Sequence, residues 1–421
     1  MIRDKVLPTL RFCLVEGLFW GGFGCVFAFS SVYLLAKGFT NSQVGYVLSA
    51  GSAVSVILQP LVGSYVDRSR KMLLRSLPSA LSVAAILTGA VLLLANSFAL
   101  RAICYGLLVA LMQILMPLLY SLGIHYMEKG VSIDFGMGRG TGSTAYAVVA
   151  TFLGTVVDRT GENVVIILLM IILALMTASI LTFRFREADA KAHNTLSYGE
   201  RDALQIVKDS ESDSASKNTG STSLFAFFAA NKRFTAVIAG CVLAFTSHNI
   251  ITNYLFQIVD FHGYGSREMG YALSITAICE IPALFLLSQI MKKVSVSVLF
   301  RISVLFMFLK NLVLYLATGL AMIYIAMGVQ LLGFGLFAGI SVYYVNETVA
   351  PADRTKGQTL MTATTAAGAV AGCLLGGLLL DGTGVGGMLL VSSVIALCGV
   401  ITVWLFAENA GQRGNISDTL R

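Results

Sequence analysis

The sequence predicts an all-α membrane protein with twelve transmembrane helices in two pseudo-symmetric six-helix bundles. Three observations predict it: apolar runs of bilayer-spanning length, a one-sided distribution of basic residues, and an internal repeat. The 421 residues are 56% hydrophobic and 12% charged, with mean hydropathy +0.80. A soluble domain carries about 25% charged residues, so a chain this apolar belongs in lipid.

Crossing a bilayer as a helix takes about 20 apolar residues. Such runs lie at 11–36, 43–66, 72–95, 100–127, 138–157 and 163–183, and again at 233–258, 268–291, 296–318, 320–347, 357–380 and 385–407. They are continuous rather than alternating, which argues against membrane strands. The first run is too long for a cleavable signal and has no small-residue cleavage site.

With the N-terminus in the cytoplasm, 24 Lys and Arg fall on the inside and four (Lys37, Arg101, Arg159, Arg267) on the outside, with Lys310 inside a helix. A topology wrong by one span would scatter them, so the positive-inside bias supports both span count and orientation. Both termini are then cytoplasmic, and the expected location is the cytoplasmic membrane of a prokaryote. The net charge of +7 is spent on this asymmetry, and no nucleic-acid partner is expected. The seven cysteines stand singly in apolar runs and read as small packing residues.

The polar stretch 184–222 reads as a cytoplasmic linker. It divides a first bundle, 1–183, from a second, 223–410, with a tail at 411–421. The halves echo each other. Gly45-Tyr46-Val47-Leu48-Ser49 returns as Gly270-Tyr271-Ala272-Leu273-Ser274, Gly154 to Gly161 returns as Gly377 to Gly384, and Asp134-x-x-x-Gly138 returns as Asp353-x-x-x-Gly357. Three matches in order at nearly constant offset predict two related bundles, with a solute site near the bilayer midplane and alternating access to it.

The segment Gln59-Pro60-Leu61-Val62-Gly63-Ser64-Tyr65-Val66-Asp67-Arg68-Ser69-Arg70-Lys71 resembles the loop 2–3 signature of the major facilitator superfamily, without its second glycine. The resemblance implies the major facilitator fold, secondary transport, and a conformational latch at Gly63, Asp67, Arg68 and Arg70. Within that superfamily the chain is similar to the lactose-permease-like proton symporters. Phe135-Gly136-Met137-Gly138-Arg139 followed by Tyr146 matches their helix 5 pattern, which implies that Arg139 grips hydroxyls and Tyr146 stacks on a sugar ring. Lys310 aligns with a buried arginine of that branch. Glu280 resembles its essential carboxylate, one turn later. The branch's helix 4 glutamate and helix 10 histidine–glutamate pair have no match; Gln330 and Gly333 lie where that pair would be.

Residues that are polar within the apolar runs need a reason, because a charge at the bilayer centre costs roughly 2.5–3.5 kcal/mol. Glu280, with Lys310 as the available cation, is the candidate for proton coupling. Glu16, one turn into the first run and followed by Trp20 at i+4, is a second candidate; its alternative is a pairing with Arg11 or Lys5. His248 is either a proton carrier or a packing histidine. Asn249, Asn253 and Gln257 form an i, i+4, i+8 stripe suited to a polar ligand or to interhelical bonds. Trp20, Gln113, Tyr120 and Gln330 complete the candidate cavity residues. Gly17-x-x-x-Gly21 reads as close helix packing. No hydrolytic, redox or nucleotide-binding motif is present, so neither enzymatic activity nor a cofactor or metal is expected. The expected function is proton-coupled import of a small polar solute such as a sugar or glycoside by a monomer, its partners being the solute, protons and the bilayer. A proton-driven efflux antiporter for amphipathic molecules is the alternative, and a membrane-embedded sensor or enzyme that kept the fold and lost transport a third.

Overall fold

The computed structural model describes residues 2–68, 73–128, 131, 133–183, 224–350 and 353–407. The expected linker 184–222, the tail 411–421 and Arg70 lie outside them. The described residues are mostly helical. Helices α1 (Ile2–Phe27), α2 (Ser30–Ala36), α3 (Asn41–Arg68), α4 (Leu73–Leu94), α5 (Phe98–Glu128), α6 (Phe135–Thr160) and α7 (Asn163–Thr182) precede the linker. After it come α8 (Leu224–Ala230), α9 (Lys232–Asn253), α10 (Leu255–Phe261), α11 (Ser266–Ile290), α12 (Val296–Tyr315), α13 (Leu320–Gly328), α14 (Phe334–Thr348) and α15 (Arg354–Phe406). Ten stretches of these helices are long and apolar enough to cross a membrane. The longest, α15, holds two spans joined across Gly384 at φ 70°, and α11 has 25 residues. Each of the twelve apolar runs is thus helical.

Both faces of these helices are apolar. On α7, Val165, Leu169, Leu173 and Met176 are buried while Ile167, Ile171 and Leu175 are exposed. A helix hydrophobic all round has lipid on its outer side, and the bilayer is the solvent for this surface. The protein is an integral membrane protein.

Three predicted helices are broken. The run 11–36 is α1 and α2, interrupted at Ala28–Phe29, and 233–258 is α9 and α10, interrupted at Tyr254. The two breaks share one geometry: Phe29 has φ −100° and ψ 12°, Tyr254 φ −115° and ψ 22°. They lie 225 residues apart, the offset of the sequence repeat. Carbonyls freed at a break inside a bilayer must find donors. Tyr105 donates its hydroxyl to the Val26 carbonyl at 2.8 Å, and Ser31 donates to the Asn253 carbonyl at 2.7 Å. No proline marks either break, which is why the apolar pattern hides them.

The short helices that follow also end alike. Phe39 N–H donates to the Leu34 carbonyl at 3.1 Å and Tyr264 N–H to Val259 at 3.2 Å, the six-to-one bond of a Schellman cap. The left-handed residue each cap needs is Gly38 (φ 85°) and Gly263 (φ 81°), again 225 apart; Gly161 and Gly384 form a second positive-φ pair. The third break divides the predicted helix 320–347 into α13 and α14 around a 3₁₀ turn, Val329–Leu331. Gly328 and Gly333 flank it, and Gly333 at ψ −105° cannot continue a helix.

The described residues group into two compact units, one from the stretches Met1–Val207 and Asn253–Ile278, the other from Lys208–Thr252 and Cys279–Arg421. In the first unit α1 packs on α6, where Gly17 approaches Ala145 and Thr141, and Gly21 approaches Val149. The Gly17-x-x-x-Gly21 motif is therefore a close helix contact. In the second unit the core is aromatic, with Phe300 stacked on Tyr344 at 4.2 Å and Phe337 edge-on to Phe245 at 5.0 Å.

Candidate functional site

In the first unit, α1, α5 and α6 bring four side chains together. Gly138 and Gly142, one turn apart on α6, leave the room that Phe12 and Trp20 of α1 fill. Glu16 is thereby carried inside, fully buried. Its Oε2 accepts a hydrogen bond from Trp20 Nε1 at 3.2 Å, while Oε1 is buried without a hydrogen-bond partner. Arg139 of α6 lies within electrostatic reach of Glu16. Its guanidinium donates to the Tyr120 hydroxyl of α5 and sits 5.0 Å from the Trp20 ring and 5.6 Å from the Tyr120 ring. Cation–π attraction to both rings holds the guanidinium in place. The cluster thus offers a carboxylate, a planar donor fork and an indole face. Tyr146, two turns along α6 from Arg139, packs its ring against Gly24.

In the second unit, Glu280 (α11), Gln330 (the 3₁₀ turn) and Lys310 (α12) form a chain. Lys310 Nζ donates to Gln330 Oε1 at 2.8 Å, and Gln330 Nε2 donates to Glu280 Oε1 at 3.1 Å. The expected pair of Glu280 with Lys310 is therefore bridged by an amide, which its two charged neighbours hold in one orientation. Lys310 and Gln330 are both buried. His248 lies within electrostatic reach of Lys310, and its ring stacks on Phe334 at 5.1 Å with Phe245 edge-on at 6.2 Å.

The helix 7 amides do not form one stripe, because the break at Tyr254 separates them. Asn249 Nδ2 bonds the Phe245 carbonyl in its own helix at 2.9 Å. Asn253 ends α9, its carbonyl held by Ser31. Gln257 on α10 donates to Asn41 Oδ1 at 2.9 Å. Gln113 is engaged by α3: it donates to Ser52 Oγ at 2.9 Å and accepts from Ser55, while Gln59 donates to its main-chain carbonyl at 3.1 Å. Gly63 is half-buried on α3; the side chains of Asp67 and Arg68 at the end of α3 lie outside the described set, as does Arg70. Sequence reasoning left Glu16 between two readings and did not join it to Arg139. The signal was the Gly138-x-x-x-Gly142 spacing, which sets how deeply α1 seats against α6.

Lys37, at the end of α2, places Nζ 2.6 Å from Oε1 of Glu162, which lies between α6 and α7, and the hydrogen bond from that ammonium holds the Glu162 carboxyl below its ordinary value of 4.5. Among the described residues, no group of three or more His, Cys, Asp or Glu is placed to hold a metal ion, and the seven cysteines are not disulfide-bonded.

A polytopic helical fold built from two repeats, with charged side chains held inside, defines a membrane transporter rather than an enzyme. The chain belongs to the MFS_1 like family, which matches residues 11–389. It is 31% identical over 184 residues to the maltose permease of Geobacillus stearothermophilus, an alignment that spans 43% of this chain and 44% of that protein. The fold is similar to that of the nucleoside transporter NupG, with TM-score 0.72 and 16% identity over 95% of this chain and 98% of that one. A POT family transporter solved with 5-aminolevulinic acid gives TM-score 0.70 and 13% identity over 96% of each chain.

Proposed function

We propose that this transporter is a proton-coupled symporter that imports a sugar or glycoside by alternating access. The observation that carries the reading is the Glu16–Trp20–Arg139–Tyr120 cluster. Its carboxylate and guanidinium suit the hydroxyl groups of a pyranose, and its indole suits the ring's apolar face. Similarity to a maltose permease points to the same solute class. In this reading the cell is prokaryotic, the termini are cytoplasmic, the two bundles divide at the linker 184–222, and the protein works as a monomer.

Coupling belongs to the Glu280–Gln330–Lys310 chain. A proton taken up by Glu280 removes the negative end of the chain and leaves the Lys310 ammonium without its counter-charge. An uncompensated buried charge is costly, so protonation drives rearrangement around Gln330. Glu16, with one oxygen unpartnered, is the second proton or hydroxyl acceptor. The direct test is uptake of labelled maltose into proteoliposomes under an imposed pH gradient. Accumulation that a protonophore abolishes is expected; absence of any sugar flux, with flux of dyes or other amphipathic compounds instead, overturns the reading in favour of efflux.

A further inference from the structure

Three spans of the second unit end around one cavity. Helix α9 begins at Lys232, α14 ends at Thr348 and α15 ends at Phe406, and each is the limit of a stretch apolar enough to cross the bilayer. Hydrocarbon gives way to water at such a limit. Trp404, two residues before the end of α15, is exposed and donates its Nε1 to the Arg301 carbonyl at 3.3 Å. An indole with an apolar body and one satisfied N–H is the residue that settles at a membrane interface. The cavity measures about 240 Å³ and is lined by Lys232, Arg233, Phe234, Tyr344, Thr348 and Phe406, with the end of α8 closing it. Pockets for drug-sized molecules run to about 300–1,000 Å³, so this space suits a headgroup rather than a whole solute.

Its walls are of two kinds. Lys232 and Arg233, both exposed, bring two positive charges, and among the described residues lining the cavity none is acidic. Phe234 and Tyr344 are buried, whereas Phe406 is 42% exposed, so the apolar wall continues onto the outer surface. The carbonyl end of α15 would by itself repel an anion. Arg301 of α12 offsets it by donating its guanidinium to the Ala407 carbonyl. A neutral solute would give the two cations no counter-charge, and a bare phosphate would leave the aromatic wall uncovered. A phosphate diester carrying an apolar tail satisfies both.

We propose that this cavity binds the headgroup of an anionic phospholipid, its phosphate held by Lys232 and Arg233 and its first acyl carbons laid along Phe406. In the orientation read above it opens to the cytoplasmic leaflet, whose surface anionic lipids make negative. Only the choice of leaflet rests on that orientation, and nothing here rests on the sugar reading. A lipid seated there ties the start of α9, the helix that carries His248, to the ends of α14 and α15.

The test is native mass spectrometry of the full chain, stripped of lipid in detergent. Phosphatidylglycerol and phosphatidylcholine of equal chain length are then offered in equal amounts. One retained phosphatidylglycerol is expected, favoured about tenfold over phosphatidylcholine, and the double variant Lys232→Gln, Arg233→Gln is expected to lose that preference. Equal retention of the two lipids by the parent protein overturns the site. Lys292→Gln with Lys293→Gln removes the same charge from an exposed pair outside the cavity and is expected to change little. An equal loss of preference in that control assigns the effect to net charge and overturns the site. Ala230→Trp keeps both cations and fills the cavity from α8; retention is expected to fall, and undiminished retention overturns the proposal. Inorganic phosphate in large excess is expected to leave the lipid bound, and complete displacement overturns the lipid in favour of a free anion. Where the double variant does not fold, Lys232→Gln alone, expected to lower the preference by a smaller factor, decides by the same readout.

Discussion

The two halves share a scaffold and differ in what they place on it. Trp20 fills the groove at Gly142, and 225 residues on Phe245 fills the groove at Gly368. The neighbours then part company: Glu16 corresponds to Cys241 and Arg139, next to the Gly138–Gly357 echo, to Gln358, while Glu280, Lys310 and Gln330 correspond to Ser55, Ala85 and Tyr105. Each half holds charge where the other is neutral. The helix breaks, caps and left-handed glycines repeat because they build the fold; charges that do not repeat belong to what each half does.

Four experiments break or sharpen this comparison, taken from the largest expected effect downward. Arg139→Lys keeps the charge but loses the planar fork and the stacking between Trp20 and Tyr120. Sugar affinity is expected to fall by about 1.5–3 kcal/mol, roughly 10- to 150-fold, read by isothermal titration, with little change in melting temperature. Glu280→Gln in the other half is expected to leave counterflow intact while uphill accumulation disappears, because each pH unit of driving force, about 1.4 kcal/mol, no longer couples. Unchanged proton-driven accumulation in that variant removes Glu280 from the mechanism.

The paired grooves give the third test. A methyl group at Gly142 meets the movable indole of Trp20, but at Gly368 it meets the Cβ and backbone of Phe245. Gly368→Ala is expected to lower stability by about 1–3 kcal/mol, measured by thermal melting. Gly142→Ala is expected to melt near the parent temperature and instead to shift tryptophan fluorescence and weaken sugar binding. Equal loss of stability in both would erase the distinction between a scaffold groove and a ligand groove. The smallest effect concerns the Lys37–Glu162 pair, whose counterparts are His262 and Val385. Folding lowers the Glu162 pKa, so its contribution is full above the ordinary value and is lost as pH falls through the folded one. The melting-temperature advantage of the parent over Glu162→Gln, worth under about 1 kcal/mol, is expected at pH 7 and to shrink progressively as pH falls below 4.5.

The spans were legible because a bilayer demands long apolar runs, and the repeat because its turns need glycine at fixed places. Gly38 and Gly263 stand at the same offset as the quoted echoes, so the paired caps were open to the same reading. The breaks at Phe29 and Tyr254 were not, since the donors that compensate them, Tyr105 and Ser31, come from other helices. The same limit hid the sites. Glu16 and Arg139 are 123 positions apart in the chain, and only the depth at which α1 seats on α6 joins them. Gln330 was read as a ligand contact because its role as a bridge depends on a turn that hydropathy cannot reveal.

That turn has a mechanical consequence. Three residues wound as a 3₁₀ helix rise about 2.0 Å each, against about 1.5 Å in an α-helix, and advance about 120° rather than 100° per residue. Rewinding Val329–Leu331 would shorten the strut between α13 and α14 by about 1.5 Å and twist it by roughly 60°. The amide that links an acid to an ammonium is thus mounted on a spring that can swing it clear of both.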